Sequence, residues 1–151
     1  MNRKISLFLC ALIIGVIPVV SVSVGRAPIL EGVSNFDAID TEHVEMAVPS
    51  PVKKSREIVI CVQLKDVGGK GFSVRHKHYL EFEIDGTWHS VSTTGIGWEE
   101  TSFRISPGSY QESELNLTSY NGRLPKGHYR LIKQIFGYDL NQYAIAEFDI
   151  E

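Results

Sequence analysis

A repeated alternation of apolar and polar residues constrains this chain more than any other feature of its sequence. In short runs, apolar side chains recur at every second position, as at Ile58, Ile60, Val62 and Leu64. A period of two places such side chains on one face of a β-strand. Gly, Pro and Asp separate the runs, and no helical stretch follows the first 25 residues. We therefore expect an all-β chain folded as a two-sheet antiparallel sandwich.

One pair of runs carries a hairpin signal. Asp85-Gly86 separates the run that ends at Ile84 from the run Thr87–Val91, and Asp-Gly is typical of a two-residue hairpin loop. A loop of that length pairs Glu83 with Trp88 and turns Trp88 to the outer, acidic face, whereas a longer loop turns it towards the core. The sequence leaves both placements of Trp88 open.

A second turn predicts a tyrosine corner. Pro125 and Gly127 form a tight turn directly before a strand whose second or third residue is Tyr129. In β-sandwiches a tyrosine at this place packs its ring into the core and donates its hydroxyl to the backbone a few residues upstream. The stretch therefore predicts a central strand of the sandwich.

The N-terminus reads as a secretory leader. Arg3 and Lys4 precede Ile5–Val20, which is apolar apart from one serine, and small residues follow. This is the pattern of a signal peptide, which we assign to residues 1–25. A signal anchor is the alternative, because the apolar run approaches the ~20 residues that a membrane-spanning helix needs. Residues 26–40 are expected to be a linker, and residues 41–151 one domain.

Charge and cysteine content exclude several classes of protein. The formal net charge is −3 at pH 7, and loss of the leader makes the chain more acidic, so it lacks the basic footprint of a nucleic-acid-binding protein. Only Cys61 lies outside the leader, so no disulfide can form within the domain. On the alternating pattern Cys61 lies off the main core face, as a small apolar residue.

Two closely spaced histidines are candidate metal ligands. His76 and His78 are two residues apart on one predicted strand, but a zinc site needs three or four ligands, and the other histidines lie on different predicted strands. We therefore expect solvated strand-end residues at both positions, and no metal or cofactor.

Several short blocks, in the same order and spacing, resemble the bacterial immunoglobulin-like domain of exported Gram-positive envelope proteins. They are Gly122-x-Leu124-Pro125-x-Gly127-x-Tyr129-Arg130, the closing strand Ala146-Glu147-Phe148-Asp149-Ile150, the hairpin block Asp85-Gly86-x-Trp88, and Ile105-x-Pro107-Gly108. The resemblance covers roughly residues 41–151. It implies an immunoglobulin-like sandwich preceded by the N-terminal hydrophobic segment.

The resemblance also implies what replaces a disulfide. In antibody-type domains one cysteine lies two residues after the corner tyrosine, a place that Leu131 occupies here. Its partner would face inward near Ile60 or Val62. We expect Leu131 to pack against that strand.

The predicted function is a non-enzymatic binding module at the bacterial cell envelope, secreted or attached to the outer side of the membrane. No nucleophile with a base, no paired carboxylates and no Gly-x-Ser-x-Gly elbow is recognisable. The partner would be an unidentified protein or glycan, with no nucleic acid, and the membrane would be touched only through an uncleaved leader. Aromatic residues are the candidate contacts: Trp88, Trp98, Tyr110, Tyr138 and Tyr143. The alternative is a membrane-tethered structural or sensory accessory domain.

Overall fold

Nine strands and one short helix make up the computed structural model, which describes residues 30–33, 36, 42–137 and 140–151. The predicted leader and Tyr138 lie outside the described residues. The elements in chain order are β1 Leu30–Val33, β2 Val44–Ala47, β3 Val59–Asp66, β4 Phe72–Ile84, β5 Thr87–Val91, β6 Ser102–Ile105, β7 Tyr110–Asn116, α1 Leu117–Asn121, β8 Gly127–Gly137 and β9 Leu140–Ile150.

Two antiparallel sheets face each other. The larger sheet has the order β1-β5-β4-β8-β9, with β6 also paired to β4, and the smaller has the order β2-β3-β7. The chain after β2 crosses between them, because Val52 forms a parallel bridge to Ile150 of β9. The prediction of an all-β, two-sheet antiparallel sandwich is confirmed.

Strand β4 is long enough to hold two partners on one edge. Its residues 72–75 pair with β6 and its residues 81–84 pair with β5, while β8 pairs along both halves. Because β8 occupies one edge, β5 and β6 must share the other. The register to β8 shifts between Val74 and His78, as expected where a bulge re-aims side chains.

The core fills the space between the sheets, as the period of two predicts. Alternate residues of β3, from Ile60 to Leu64, are buried with Leu80 of β4 and Leu131 of β8 in one apolar cluster. Leu131 is fully buried. It therefore lies in the same core as the strand against which it is expected to pack.

Tyr129 has the geometry of a tyrosine corner. Its ring is buried, with its centroid 4.9 Å from that of Phe82 and 5.8 Å from that of Phe148. Its hydroxyl donates a hydrogen bond of 2.8 Å to the carbonyl of Pro125. Gly127 has φ +149, and a Cβ there would collide with the Phe82 ring. The turn therefore needs glycine at this position.

The hairpin between β4 and β5 has the shorter of the two loops considered. Glu83 pairs with Trp88, so Asp85 and Gly86 alone form the loop. Both have positive φ, +50 and +77, as a type I′ turn requires. Trp88 consequently lies on the outer face of the larger sheet and is half-buried there.

A short helix interrupts the expected series of strands. The alternation of Leu115 and Leu117 predicts a strand through Leu117, but β7 ends at Asn116 and α1 begins at Leu117. Asn116 caps the helix, because its side-chain oxygen accepts a 3.0 Å hydrogen bond from the backbone N–H of Ser119. The expectation of no helix after the leader was wrong at this point.

The segment expected to be a linker contains part of the larger sheet. β1 pairs with β5, with Leu30 opposite Val91. Phe36 follows and packs against Tyr79 and Tyr143, with ring centroids 5.1 and 5.0 Å away. β1 is thus an edge strand of the larger sheet and Phe36 lies on its outer face, so the linker expected over residues 26–40 needs correction where β1 and Phe36 lie.

Leu131→Ala should lower the free energy of unfolding by roughly 2 to 5 kcal/mol, because it leaves a cavity between the sheets. Urea unfolding of the two proteins measures the difference. Leu131→Met, which conserves volume, is the control and should cost less than about 1.5 kcal/mol. A loss for Leu131→Ala no larger than that of the control would contradict the core position.

Tyr129→Phe should cost on the order of 1 kcal/mol, because it removes one hydrogen bond and leaves the Pro125 carbonyl without its donor. Thermal unfolding provides the measurement. Tyr143→Phe, on the outer face, is the control and should stay within about 0.5 kcal/mol of the parent. Equal stability of Tyr129→Phe and the parent would mean that the corner hydrogen bond does not stabilise the fold.

Candidate functional site

A cleft opens between the two sheets on the side where β6 and β7 lie. Its volume is about 580 Å³. The larger sheet contributes side chains from β4, β6 and β8, the smaller sheet contributes β7, and α1 and the loop before β6 lie at its end. The lining residues are His76, Ile96, Phe103, Gln111, Ser113, Glu114, Leu115, Asn116, Ser119, Tyr120 and Lys133.

The pairing of β6 explains why the sandwich is open here. β6 follows β5 and pairs with β4, in the larger sheet, instead of extending the smaller sheet beside β7. The inward positions of β7 are therefore only partly covered: Gln111 is exposed, and Ser113 and Leu115 are half-buried. A surface that would otherwise be core is accessible from outside.

Lys133 lies at the floor of the cleft and is 5% exposed. Its Nζ donates hydrogen bonds to the carbonyls of Arg75 and His76, at 3.2 and 3.0 Å, where β4 is irregular. Burial lowers the pKa of this amine to about 8, so the ammonium form still predominates at neutral pH. These carbonyls use two of its three N–H groups, so one N–H group is not engaged by them.

His78 lies beside Lys133, because the two are opposite each other on β4 and β8. It is 1% exposed, its Nε2 is 3.1 Å from the Asn121 side-chain oxygen, and its ring meets those of Trp98 and Tyr120 edge-on. Burial lowers the pKa of His78 to about 4. The imidazole is therefore neutral at pH 7, and the expectation of a solvated residue was wrong for His78.

His76 has a different environment. It is exposed, and its ring lies 5.3 Å from that of Phe103. The irregularity in β4 thus separates the two histidines, one at the surface and one inside. The described part of the chain contains no group of three or more His, Cys, Asp or Glu residues that could hold a metal ion.

The outer face of the larger sheet holds a buried ion pair. Glu81 is fully buried and accepts a hydrogen bond from Nε of Arg130, on the neighbouring strand. The Arg130 guanidinium lies 4.6 Å from the centroid of the Trp88 ring, and the Trp88 ring is 5.4 Å from that of His128. Arg130 and His128 are parts of this packed cluster.

The predicted aromatic contacts do not form one surface. Trp88 lies against Arg130, and Tyr143 lies against Phe36 elsewhere on the same face. Trp98 stacks on Tyr120 at a centroid distance of 4.2 Å, near one end of the cleft. Tyr110 is exposed on β7 and donates its hydroxyl to Glu112. Tyr138 cannot be placed, since it lies outside the described residues.

Cys61 is half-buried on the outer face of the smaller sheet. Desolvation first, and then the carboxylates of Glu112 and Glu114, raise the pKa of its thiol. The thiolate is disfavoured at neutral pH, so this environment does not activate a nucleophile.

Sequence reasoning missed Lys133. The signal was available, because Lys133 occupies the inward position between Leu131 and Ile135, both of which are buried. A lysine at a core position of a central strand indicates either a buried partner or a cavity. Here both are present, since the amine binds two carbonyls and Lys133 is one of the residues that line the cleft. The arrangement can bind an anionic group beside partly apolar walls.

A family model described as "Bacterial Ig-like domain" matches residues 40–149. None of the curated proteins matches the chain. The matched range includes both sheets apart from β1 and the last residue of β9, and it contains every residue that lines the cleft.

One similar solved structure is the CARDB domain of a Pyrococcus furiosus protein, in complex with di-metal ions, which is 15% identical in sequence. The match covers 78% of this chain and 96% of that chain, with a TM-score of 0.39. A β-glucosidase from Listeria innocua, in complex with gluconolactone, is 12% identical over 71% of this chain (TM-score 0.36). A β-glucosidase from Kluyveromyces marxianus, in complex with glucose, is 16% identical over 77% (TM-score 0.34). The match covers 15% of each glucosidase chain.

Because Lys133 is buried, the free energy of unfolding should change with pH in the range above pH 7. The unfolded chain keeps the lysine proton up to a pKa of 10.5, whereas the folded chain releases it near pH 8. Between these values the unfolded state binds more protons, so the contribution of Lys133 to stability rises with pH. Urea unfolding should therefore show that the free energy of unfolding of the parent protein, relative to that of Lys133→Met, rises between pH 8 and pH 10. The rise should be at most about 3 kcal/mol.

The control for this measurement is Lys126→Met, at an exposed lysine in the turn before β8. It should keep the same pH dependence as the parent protein. If Lys133→Met also follows the parent between pH 8 and pH 10, burial does not depress the pKa of Lys133.

Proposed function

The chain belongs to the bacterial Ig-like domain family, and from this premise we propose that it is a non-enzymatic, exported binding module that acts at the bacterial cell envelope. One observation carries the proposal. The sandwich is open between its sheets, and the opening exposes a polar floor with a buried ammonium group instead of a closed apolar core. A partly apolar cleft with a few fixed polar groups is the usual form of a binding site.

The cleft has the properties of a preformed site. Its walls lie on strands of both sheets, which hold them rigidly, and only the Ile96 loop and α1 contribute non-strand residues. Lys133 is fixed by two carbonyls, so little side-chain freedom would be lost when a ligand binds. The charge of the floor favours an anionic group of the partner.

Three of the buried ionisable groups support a binding role over a catalytic one. His78 is held by Asn121, Glu81 by Arg130, and Lys133 by backbone carbonyls. Each of these groups is committed to a neighbour that orients it. No pair among them forms the hydrogen-bonded nucleophile and base that covalent catalysis needs.

Export is inferred from the leader pattern of residues 1–25. In the part of the chain that the structure describes, no helix has the length and apolar character of a membrane span. If the leader is cleaved, the domain is secreted. If it stays, the domain is held at the outer side of the membrane, which is the setting of the alternative function as a structural or sensory accessory domain.

Fractionation of the host tests location. A tagged full-length chain should be found in the medium or the envelope fraction and be absent from the cytoplasm. Release into the medium would exclude the tethered accessory domain. Accumulation in the cytoplasm would contradict export.

Affinity capture from envelope fractions tests binding. The parent chain should capture a defined component, Lys133→Met should lose it, and the control Lys126→Met should keep it. Equal capture by all three proteins would place binding away from the cleft. A blank result with the parent chain would contradict the binding role and favour the accessory domain.

A further inference from the structure

We propose that the edge of β7 with which no described strand pairs receives an extended peptide of a partner protein as an additional strand, and that an acidic side chain of this peptide enters the cleft and pairs with Lys133. This deepens the proposed function and rests on it. The partner class is a polypeptide in β conformation, with one carboxylate among the side chains that face inward. Its main chain would extend the smaller sheet, and its side chains would fill the opening of the sandwich.

The hydrogen-bond pattern of β7 shows which backbone groups are available. The N–H of Leu117 donates to the Ile58 carbonyl at 2.9 Å, and the N–H of Asp66 donates to the Ser109 carbonyl at 3.0 Å. In an antiparallel pair, such bonded positions alternate with positions whose N–H and C=O point away from the partner strand. Tyr110, Glu112 and Glu114 therefore direct their backbone groups outward from β3.

No described strand pairs with this outward edge. Among the described residues, β7 pairs only with β3, and β6, the element that precedes it in the chain, pairs with β4. Four consecutive residues, from Ser113 to Asn116, line the cleft. Since consecutive side chains of a strand point to opposite faces, the backbone edge itself must contribute to the wall. An added strand would therefore lie along the mouth of the cleft.

The side chains of an added strand would alternate between two environments. Those that point inward meet Phe103 and Leu115, both half-buried, and the ammonium group of Lys133. Two carbonyls already accept from Lys133, and its remaining donor suits a carboxylate, because a charge-assisted hydrogen bond in a partly buried site is stronger than a neutral one. A peptide with one acidic residue, and with apolar residues two positions before and two positions after it, would complement this wall of the cleft.

Side chains of the added strand that point outward would lie beside negative charges of β7, not beside the positive charge of Lys133. Glu112 and Glu114 face the outer side of the smaller sheet, and both are exposed. Opposite charges across strands stabilise a pair, and like charges destabilise it. Basic residues at the outward positions therefore complement β7. The same carboxylates oppose edge-to-edge pairing of two copies of this chain, which argues for a different protein as the occupant.

Calorimetric titration of the full chain with a synthetic peptide tests the proposal. The probe is Thr-Val-Lys-Glu-Lys-Val-Thr, blocked at both ends, in which Val, Glu and Val share one face and the lysines the other. Its control replaces Glu by Gln. The Glu peptide should bind roughly tenfold or more tightly than the Gln peptide, and Lys133→Met should remove that difference while Lys126→Met keeps it.

The edge is tested separately from the charge. Glu114→Pro removes an outward N–H at an edge position, where proline is compatible with a strand, and it should abolish binding, whereas Glu114→Gln should retain most of it.

A pair of N-methylated peptides tests the edge without any protein variant. The first peptide carries methyl groups on the backbone nitrogens of Val and Glu, and the second carries them on the backbone nitrogens of Lys. Only one of the two sets of amides faces β7 in an added strand, so only one of the two peptides should lose binding.

The outcomes separate this inference from the proposed function. Binding of both N-methylated peptides, or equal affinity for the Glu and Gln peptides, would overturn it. Dimerisation of the chain that Glu114→Pro abolishes would show that a second copy occupies the edge, and would overturn it too. If envelope capture depends on Lys133 but no peptide binds, the binding module stands and the strand-addition inference is wrong.

Discussion

The division of one edge of β4 between β5 and β6 is the constraint on which the other features depend. β4 can serve both because it is 13 residues long and because its register to β8 shifts in the middle. Once β6 is paired to β4, the smaller sheet has three strands among the described residues, and β7 is the last of them. The larger sheet then extends beyond the smaller one, and the cleft, the position of Lys133 at its floor and the edge of β7 that no described strand pairs with all follow from this mismatch.

Several buried polar groups at this mismatch are hydrogen-bonded to one another. The carbonyls of Arg75 and His76, which the irregular stretch of β4 turns away from its ladder, accept from Lys133, and the neighbouring imidazole is held by Asn121. Leaving such buried groups unpaired would cost about 1–3 kcal/mol each. The polar residues at the floor therefore have a structural role, and this role also presents a charge to the outside.

The fold could be predicted from sequence because its determinants are local. The period of two in β3, the Asp85-Gly86 loop and the turn before Tyr129 each involve a few neighbouring residues, and the structure has the strands and the hairpin that they predict. The length of the hairpin loop, and with it the face on which Trp88 lies, was left open by the sequence and is decided by the register of β4 and β5. The site could not be predicted in the same way. Whether β6 joins β4 or β7 is decided by long-range pairing, and the burial of His78 depends on a bulge that has no Gly or Pro to mark it. The aromatic residues were identified by type, but type does not tell which of them pack together.

The pairing of β1 with β5 has a consequence for how the domain would be presented at a membrane. β1 begins at Leu30, so only residues 26–29 separate the sheet from the end of the predicted leader. An extended chain spans at most about 3.5 Å per residue, which limits such a tether to roughly 15 Å. With an uncleaved leader, the β1 edge of the larger sheet would be confined close to the lipid headgroups. Rotation of the domain would then be restricted, and only those faces that point away from the bilayer would be open to other molecules.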